Sequence, residues 1–220
     1  NEPFADSPYK YLSSYGSLTH FKEENAPEGS SDRCISDCAV EKDCPYSSLK
    51  LYMNMELTGW PVSVITNDLS KEGREKALRE GPYGRCVYRS DNDVVDHQVV
   101  SIEFENQVTV SFTMSAFTDG HRRTRIMGTM GEIIGDFETI TLSNFKNQTK
   151  EIMWEKTTED EMGHSSGDFS LMKQFLKAVR ANDATLFSSS IEASVESHLM
   201  AFAAEKSRIE KKVVRPSQDG

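Results

Sequence analysis

Between Asp96 and Phe117 apolar and polar residues alternate for two successive strand lengths. In Asp96 to Glu105, Gln98, Val100, Ile102 and Phe104 fall on one side and His97, Val99, Ser101 and Glu103 on the other. In Val108 to Phe117, Val108, Val110, Phe112, Met114 and Ala116 oppose Thr109, Ser111, Thr113 and Ser115. Asn106 stands between them, where a hairpin needs a residue tolerant of positive φ. The pattern predicts an antiparallel hairpin with one apolar and one polar face, as in a sheet covered on one side only.

The rest of the chain supplies strands and helices in separate runs. Tyr9 to Phe21 predicts an entering strand, with Gly16 as a weak point or bulge. Pro45 to Met55 predicts a short helix, and Pro61 to Asn67 is a short β-branched run. Ser70 to Glu80 predicts a charged helix with Ser70 as N-cap and Gly81 beyond its end. Further strands are expected at Arg123 to Gly128, Glu132 to Phe137, Thr139 to Ser143 and Glu151 to Lys156, the last two joined by a turn at Asn144 to Thr149. Two helices follow. Asp168 to Arg180 carries Phe169, Met172, Phe175, Leu176 and Val179 as an apolar stripe, and Ile191 to Lys211 carries Val195, Leu199, Phe202 and Ile209. Ser189 and Glu192 fit a capping box before the second. Strands in a run with helices at either end predict an α+β fold: an open, predominantly antiparallel sheet with helices packed on one face. Residues 1–214 read as one such domain and 215–220 as a frayed tail.

Size and charge narrow the function. A chain of 220 residues buries about 70% of its unfolded surface and needs no staple. The net charge of −10 and pI near 5.0 disfavour a nucleic-acid or anionic-membrane surface, since both reward basic fields. No apolar run approaches the roughly 20 residues of a membrane span, and no signal-like segment opens the chain. The first residue is Asn1 rather than Met, so a genuine start is expected to be missing, through processing or because this is a piece of a longer polypeptide.

Three segments carry candidate chemistry. Cys34, Cys38 and Cys44 form C-x3-C-x5-C, and three thiolates suit a soft tetrahedral zinc site if a fourth ligand such as His20 converges. The spacing is not C-x2-C and no second pair follows, which favours the plainer alternative: reduced thiols packing a compact loop in a cytoplasmic protein. The loop from Tyr83 to His97 is the strongest site candidate. There Arg85 offers a clamp for an anionic or hydroxyl-bearing ligand, Asp91, Asn92, Asp93 and Asp96 offer acceptors for sugar hydroxyls, Tyr83 and Tyr88 stand with them as substrate-binding candidates, and His97 offers proton transfer. The alternative is a solvated turn whose Asp and Asn residues cap local backbone. Met162 to Asp168 (MGHSSGD) places His164 and two glycines before a helix, where a ligand can approach closely, or Asp168 is simply an N-cap. His198 and Glu205 lie seven apart on one helix face. What is missing matters as much: no two of the thirteen glycines are two apart, so no G-x-G phosphate loop exists.

In order along nearly the whole chain, GSLTHF (Gly16 to Phe21), CPYS (Cys44 to Ser47), GPYGRCVY (Gly81 to Tyr88), DNDVVDHQVV (Asp91 to Val100), GTMGEIIGD (Gly128 to Asp136), GHSSGD (Gly163 to Asp168) and SHLMAFAAEKSR (Ser197 to Arg208) resemble the C-terminal domain of the Gfo/Idh/MocA oxidoreductases. These are the glucose-fructose oxidoreductase and inositol dehydrogenase relatives. The resemblance implies a missing N-terminal Rossmann domain that binds NAD or NADP, and a sheet domain that contacts substrate and forms a homo-oligomer. It places GPYGRCVY and GHSSGD toward the cleft. Family members commonly use a lysine from E-K-P and a histidine from an H-D-x-D-type motif. Here the five Glu-Lys pairs are followed by Asp43, Ala77, Thr157, Ser207 and Lys212, and His20 in GSLTHF does not match the histidine motif. No catalytic or cofactor-binding residue is therefore carried over. The implied function is the substrate-binding and oligomerisation domain of an NAD(P)-dependent oxidoreductase acting on a sugar, polyol or related hydroxy compound, inactive as an isolated chain. The alternatives are a freestanding carbohydrate-binding or scaffolding module and a zinc-organised interaction domain.

Overall fold

The computed structural model describes residues 7–118, 120, 122–157, 164–186 and 190–216. Among the described residues two antiparallel sheets and five α-helices make an α+β fold. The chain divides into two compact units: Ser7–Phe117 with the chain from Phe202 onward, and Thr118–Ala201.

The first unit holds a three-stranded sheet of β1 (Tyr9–Ser17), β2 (His97–Phe104) and β3 (Thr109–Ser115), with β2 in the middle. The predicted hairpin forms in the expected register, with Val100 opposite Phe112 and His97 opposite Ser115. Gln107, not Asn106, takes the positive φ, 67°. Asn106 instead accepts the Val108 N–H on its Oδ1 at 3.1 Å, a local turn that fixes its own backbone. On the other side β1 runs antiparallel to β2, with Leu12 opposite Ile102 and Ser17 opposite His97. The irregularity in β1 lies between Tyr9 and Tyr11 rather than at Gly16. Gly16 serves close approach: a Cβ there would stand 2.5 Å from the His97 carbonyl oxygen.

Between β1 and β2 come three short helices, α1 (Ser48–Tyr52), α2 (Val62–Ile65) and α3 (Lys71–Glu80). The β-branched run at Pro61 to Asn67 therefore folds as a helical turn, because Val62 is fully buried there and tertiary packing overrides local preference. Ser70 caps α3 as predicted, its Oγ accepting from the Gly73 N–H at 3.1 Å. Leu12, Val62, Leu78, Cys86, Tyr88 and Val100 are buried and form the core of this unit. Arg74 is buried with them, its guanidinium donating to the carbonyls of Leu69, Tyr52, Asn54 and Leu57 at 2.8–3.2 Å. An interior cation is tolerable only when its donors are spent in this way. The chain's end closes on β1: Leu12 and Val214 exchange backbone bonds of 2.9 and 2.8 Å, Ser207 Oγ accepts from the Ser14 N–H, and the Arg215 guanidinium lies 4.8 Å from the Tyr11 ring centre.

The second unit holds a sheet in the order β4 (Thr124–Met127), β5 (Gly131–Gly135), β6 (Thr139–Asn144) and β7 (Thr149–Glu155). All four predicted strands are present, each within a few residues of its expected ends. Ile126, Ile133 and Leu142 register across three of them, with Ile140 opposite Trp154. Helix α4 (His164–Ala181) begins earlier than expected, so His164 to Asp168 form its opening turns instead of preceding it. Helix α5 (Ile191–Glu210) starts after Ser190, whose Oγ accepts from the Ala193 N–H at 3.1 Å. The predicted cap, Ser189, lies outside the described residues. Among the described residues no helix is long and apolar enough to cross a membrane.

Candidate functional site

At the end of the three-stranded sheet where β1 leaves and β2 enters, Asp96 is almost fully buried. Its backbone extends the strands, donating to the Ser17 carbonyl at 3.0 Å and accepting from the Ala116 N–H at 2.8 Å. Its carboxylate gathers the N–H groups of Thr19 (2.8 Å) and His20 (2.7 Å), the Thr19 hydroxyl, and Nδ1 of His97 (2.7 Å). Burial alone would raise the Asp96 pKa. The hydrogen bonds from His20, His97 and Thr19 outweigh it and hold the carboxyl well below the ordinary carboxylate range. An ionised carboxylate has only acceptors, so Nδ1 of His97 carries the proton and donates. In the neutral ring the lone pair then sits on Nε2, on a side chain that is 46% exposed. A histidine oriented by a carboxylate through one nitrogen, with the other open, is the arrangement general acid–base chemistry requires.

A second histidine is fixed beside it. The Tyr88 hydroxyl and Nε2 of His20 are 3.0 Å apart. Phe21, Tyr46, Tyr88 and Phe117 surround the His20 ring edge-to-face, with centroids 5.2–5.5 Å away. Burial, then the neighbouring Cys44, Tyr46 and Cys86, raise the Tyr88 pKa, so this phenol stays protonated. The segment carrying Tyr88 is pinned to α3. Gly84 lies so close that a Cβ would meet the Leu78 carbonyl oxygen at 1.7 Å, and the Arg33 guanidinium bridges the Leu78 and Gly81 carbonyls. Backbone bonds from Cys34 to Gly84 and from Cys86 to Asp32 hold the cysteine-bearing loop against it.

Tyr46 leads from this aromatic cluster into a cavity of about 660 Å³ between α1 and the Pro82–Val87 stretch, lined also by Ser48, Lys50, Tyr52, Tyr83 and Arg85. Of the predicted site residues, Tyr83 and Arg85 are therefore on the cavity wall and Tyr88 and His97 at the sheet end. Arg85 donates to Asp91 at 2.9 Å. The Asp91 backbone N–H and then Arg85 hold that carboxyl below its ordinary value. Asp93 stays exposed on the loop. His164 opens α4, and its side chain lies outside the described residues. Cys34, Cys38, Cys44 and Cys86 are free thiols, and burial pushes the Cys86 thiol up. Among the described residues no group of three or more histidine, cysteine or carboxylate side chains is placed to hold a metal ion. Sequence reasoning gave His20 no part in this site and took Asp96 as a sugar ligand. Their pairing spans 76 positions, and only the strand-end placement of Thr19-His20 and Asp96 hinted at it.

No protein-family model matches the chain, and no curated protein does. Solved structures are similar. A proposed oxidoreductase from Thermotoga maritima is 12% identical over 95% of this chain and 41% of its own, with a TM-score of 0.45. A proposed NADPH-dependent oxidoreductase from Desulfitobacterium hafniense is 14% identical over 57% of this chain and 38% of its own, TM-score 0.44. An oxidoreductase domain protein from Kribbella flavida is 16% identical over 56% and 38%, TM-score 0.43. The chain thus spans about two fifths of the length of the structures it is similar to.

Proposed function

We propose that this chain is the substrate-binding and oligomerisation part of an NAD(P)-dependent oxidoreductase acting on a sugar, polyol or related hydroxy compound. The observation that carries the reading is the Asp96–His97 pair at the sheet end, joined through His20 and Tyr46 to a tyrosine-lined cavity. Oxidising a hydroxyl requires that its proton be taken by a positioned base, and Nε2 of His97 is such a base, held in one orientation by Asp96. Tyr83 and Arg85 supply the polar tips and apolar bodies that orient a hydroxylated ligand.

The residues present do not fit the nicotinamide nucleotide itself. No glycine pair has phosphate-loop spacing, and both sheets pair antiparallel throughout the described residues, whereas a dinucleotide fold needs parallel strands with a helix crossing between them. The nucleotide is accordingly assigned to a separate domain. The apolar row Ile126, Ile133 and Leu142 is the proposed oligomer surface.

The test is polyol- and sugar-dependent reduction of NAD or NADP, followed by nicotinamide absorbance, in the product of the whole coding region and in the 220-residue chain. Turnover is expected in the former and lost on His97→Gln; the isolated chain is expected to show none. Activity in the isolated chain, or in neither preparation across a panel of hydroxy compounds, overturns the proposal.

A further inference from the structure

The cavity beside α1 has a charge that the rest of the chain does not. With 35 acidic and 25 basic residues the protein is acidic overall, yet the lining contains Lys50 and Arg85 and no carboxylate. We propose that this cavity takes an anionic hydroxy compound, a sugar acid or sugar phosphate, with Arg85 and Lys50 on its charged group. The inference rests on the oxidoreductase reading for the hydroxyl chemistry and adds the charge of the substrate.

Two details support it. Arg85 is held by a carboxylate that is itself 87% exposed, a contact that water screens and that a better-desolvated anion can displace. Its planar fork matches a carboxylate or phosphate with two parallel donors. Lys50 donates to the Cys44 carbonyl at 2.9 Å, which fixes the ammonium at the cavity and leaves two of its three donors. Tyr52 and Tyr83, edge-to-face at 5.9 Å, form the flank. Burial and then Tyr83 raise the Tyr52 pKa, so no phenolate opposes an anion at neutral pH.

The test is calorimetric titration of the 220-residue chain with D-gluconate, with glucose 6-phosphate and with sorbitol, the uncharged counterpart of gluconate. At least one anion is expected to bind about tenfold or more tighter than sorbitol, the scale of one charged hydrogen bond in a partly buried site, and the preferred anion identifies the charged group. Arg85→Gln should remove that preference, Arg85→Lys should restore part of it, and Lys50→Gln should weaken both anions a few-fold while leaving sorbitol unchanged. Sorbitol binding as tightly as both anions overturns the inference and leaves the oxidoreductase reading standing. Unaltered anion binding in Arg85→Gln, or no binding of any of the three, also overturns it. Absence of hydroxy-compound oxidation by the full coding product counts against the broader reading only.

Discussion

In the unit built on β1, β2 and β3, Leu12, Val62, Leu78 and Val100 are all buried, and even a charged side chain, Arg74, is enclosed. In the unit built on β4–β7 and α4, Ala178 is the one buried hydrophobic residue among those described. Both units have sequences with clear apolar periodicity. Phe169, Met172, Phe175, Leu176 and Val179 make as regular a stripe on α4 as any in the chain, yet each is about half exposed or more. Periodicity states which face an element would bury, while burial needs another element to return onto that face. The first unit has such returns: Val214 bridges back onto Leu12 of β1, and Arg33 and Gly84 close on the end of α3 from either side in the sequence. Apolar surface of the extent left on the second unit is a usual mark of a surface that another body covers, and this is why the proposed oligomer contact is placed there.

A matched pair of truncations breaks or confirms this contrast most directly. Leu78→Ala, in the closed core, should cost about 2–5 kcal/mol, the range for removing a buried leucine with the cavity left behind. Leu176→Ala, half exposed on α4, should cost no more than about 1 kcal/mol in the dilute chain. Urea denaturation with fluorescence and circular dichroism measures both, and equal losses would show that the α4 stripe is as well packed as the closed core.

Gly16→Ala probes the sheet end from inside. A methyl group 2.5 Å from the His97 carbonyl must push β1 from the start of β2, at about 1–3 kcal/mol, as other overpacking does. Because β1 leads into Thr19 and His20, the displacement should also disturb the Asp96 contacts, visible as shifts of the His20 and His97 imidazole resonances. Stability lost with both rings unmoved would detach the sheet from the site.

Asp96→Asn comes next in size, about 1–2 kcal/mol at neutral pH, because an amide cannot accept from every donor the carboxylate serves. Its pH dependence has a definite sign. A carboxyl with a folded pKa below its ordinary 3.8 binds fewer protons in the fold than unfolded, so its contribution is present above that value and is lost as pH falls through the lower folded one. Acid unfolding of the parent should therefore steepen below about pH 4, and Asp96→Asn should flatten that limb. An unchanged acid limb would mean that other carboxylates dominate it.

These effects also show what the sequence made legible. The β2–β3 hairpin, the Ser70 cap and the four strands of the second sheet rest on signals within about ten neighbouring residues, and the periodicity of each was sufficient. The misplacements share a cause. Gly16 looked like a bulge because its partner, the His97 carbonyl, lies in another strand. Pro61 to Asn67 is a β-branched run by its residues, yet Val62 to Ile65 fold as a helical turn where Val62 meets the core. Asp96 looked like one of several loop acids able to bind a ligand, whereas its carboxylate is already occupied by Thr19, His20 and His97. Of the predicted site residues on the Pro82–Tyr88 stretch, which Gly84 and Arg33 fasten to α3, Tyr83 and Arg85 line the cavity while Tyr88 stands at the sheet end against His20. The exposed Asp93 has no such fastening to place it.

The smallest stability effect belongs to the proposed contact surface. Ile133 stands between Ile126 and Leu142 in the sheet register and is 38% exposed. Ile133→Lys should change the stability of the dilute monomer by no more than about 1 kcal/mol, since a lysine stem can cover the same neighbours while its ammonium reaches water. In a dimer the same ammonium would be pressed against an apolar surface with no partner, a cost of several kcal/mol that lowers association by orders of magnitude. Sedimentation velocity over a concentration series separates the two. The parent chain should shift to a heavier species as concentration rises, and Ile133→Lys should stay monomeric over the same range. Identical profiles for the two, whether both monomeric or both associated, would remove this face from the interface and leave the contrast between the units without a partner to explain it.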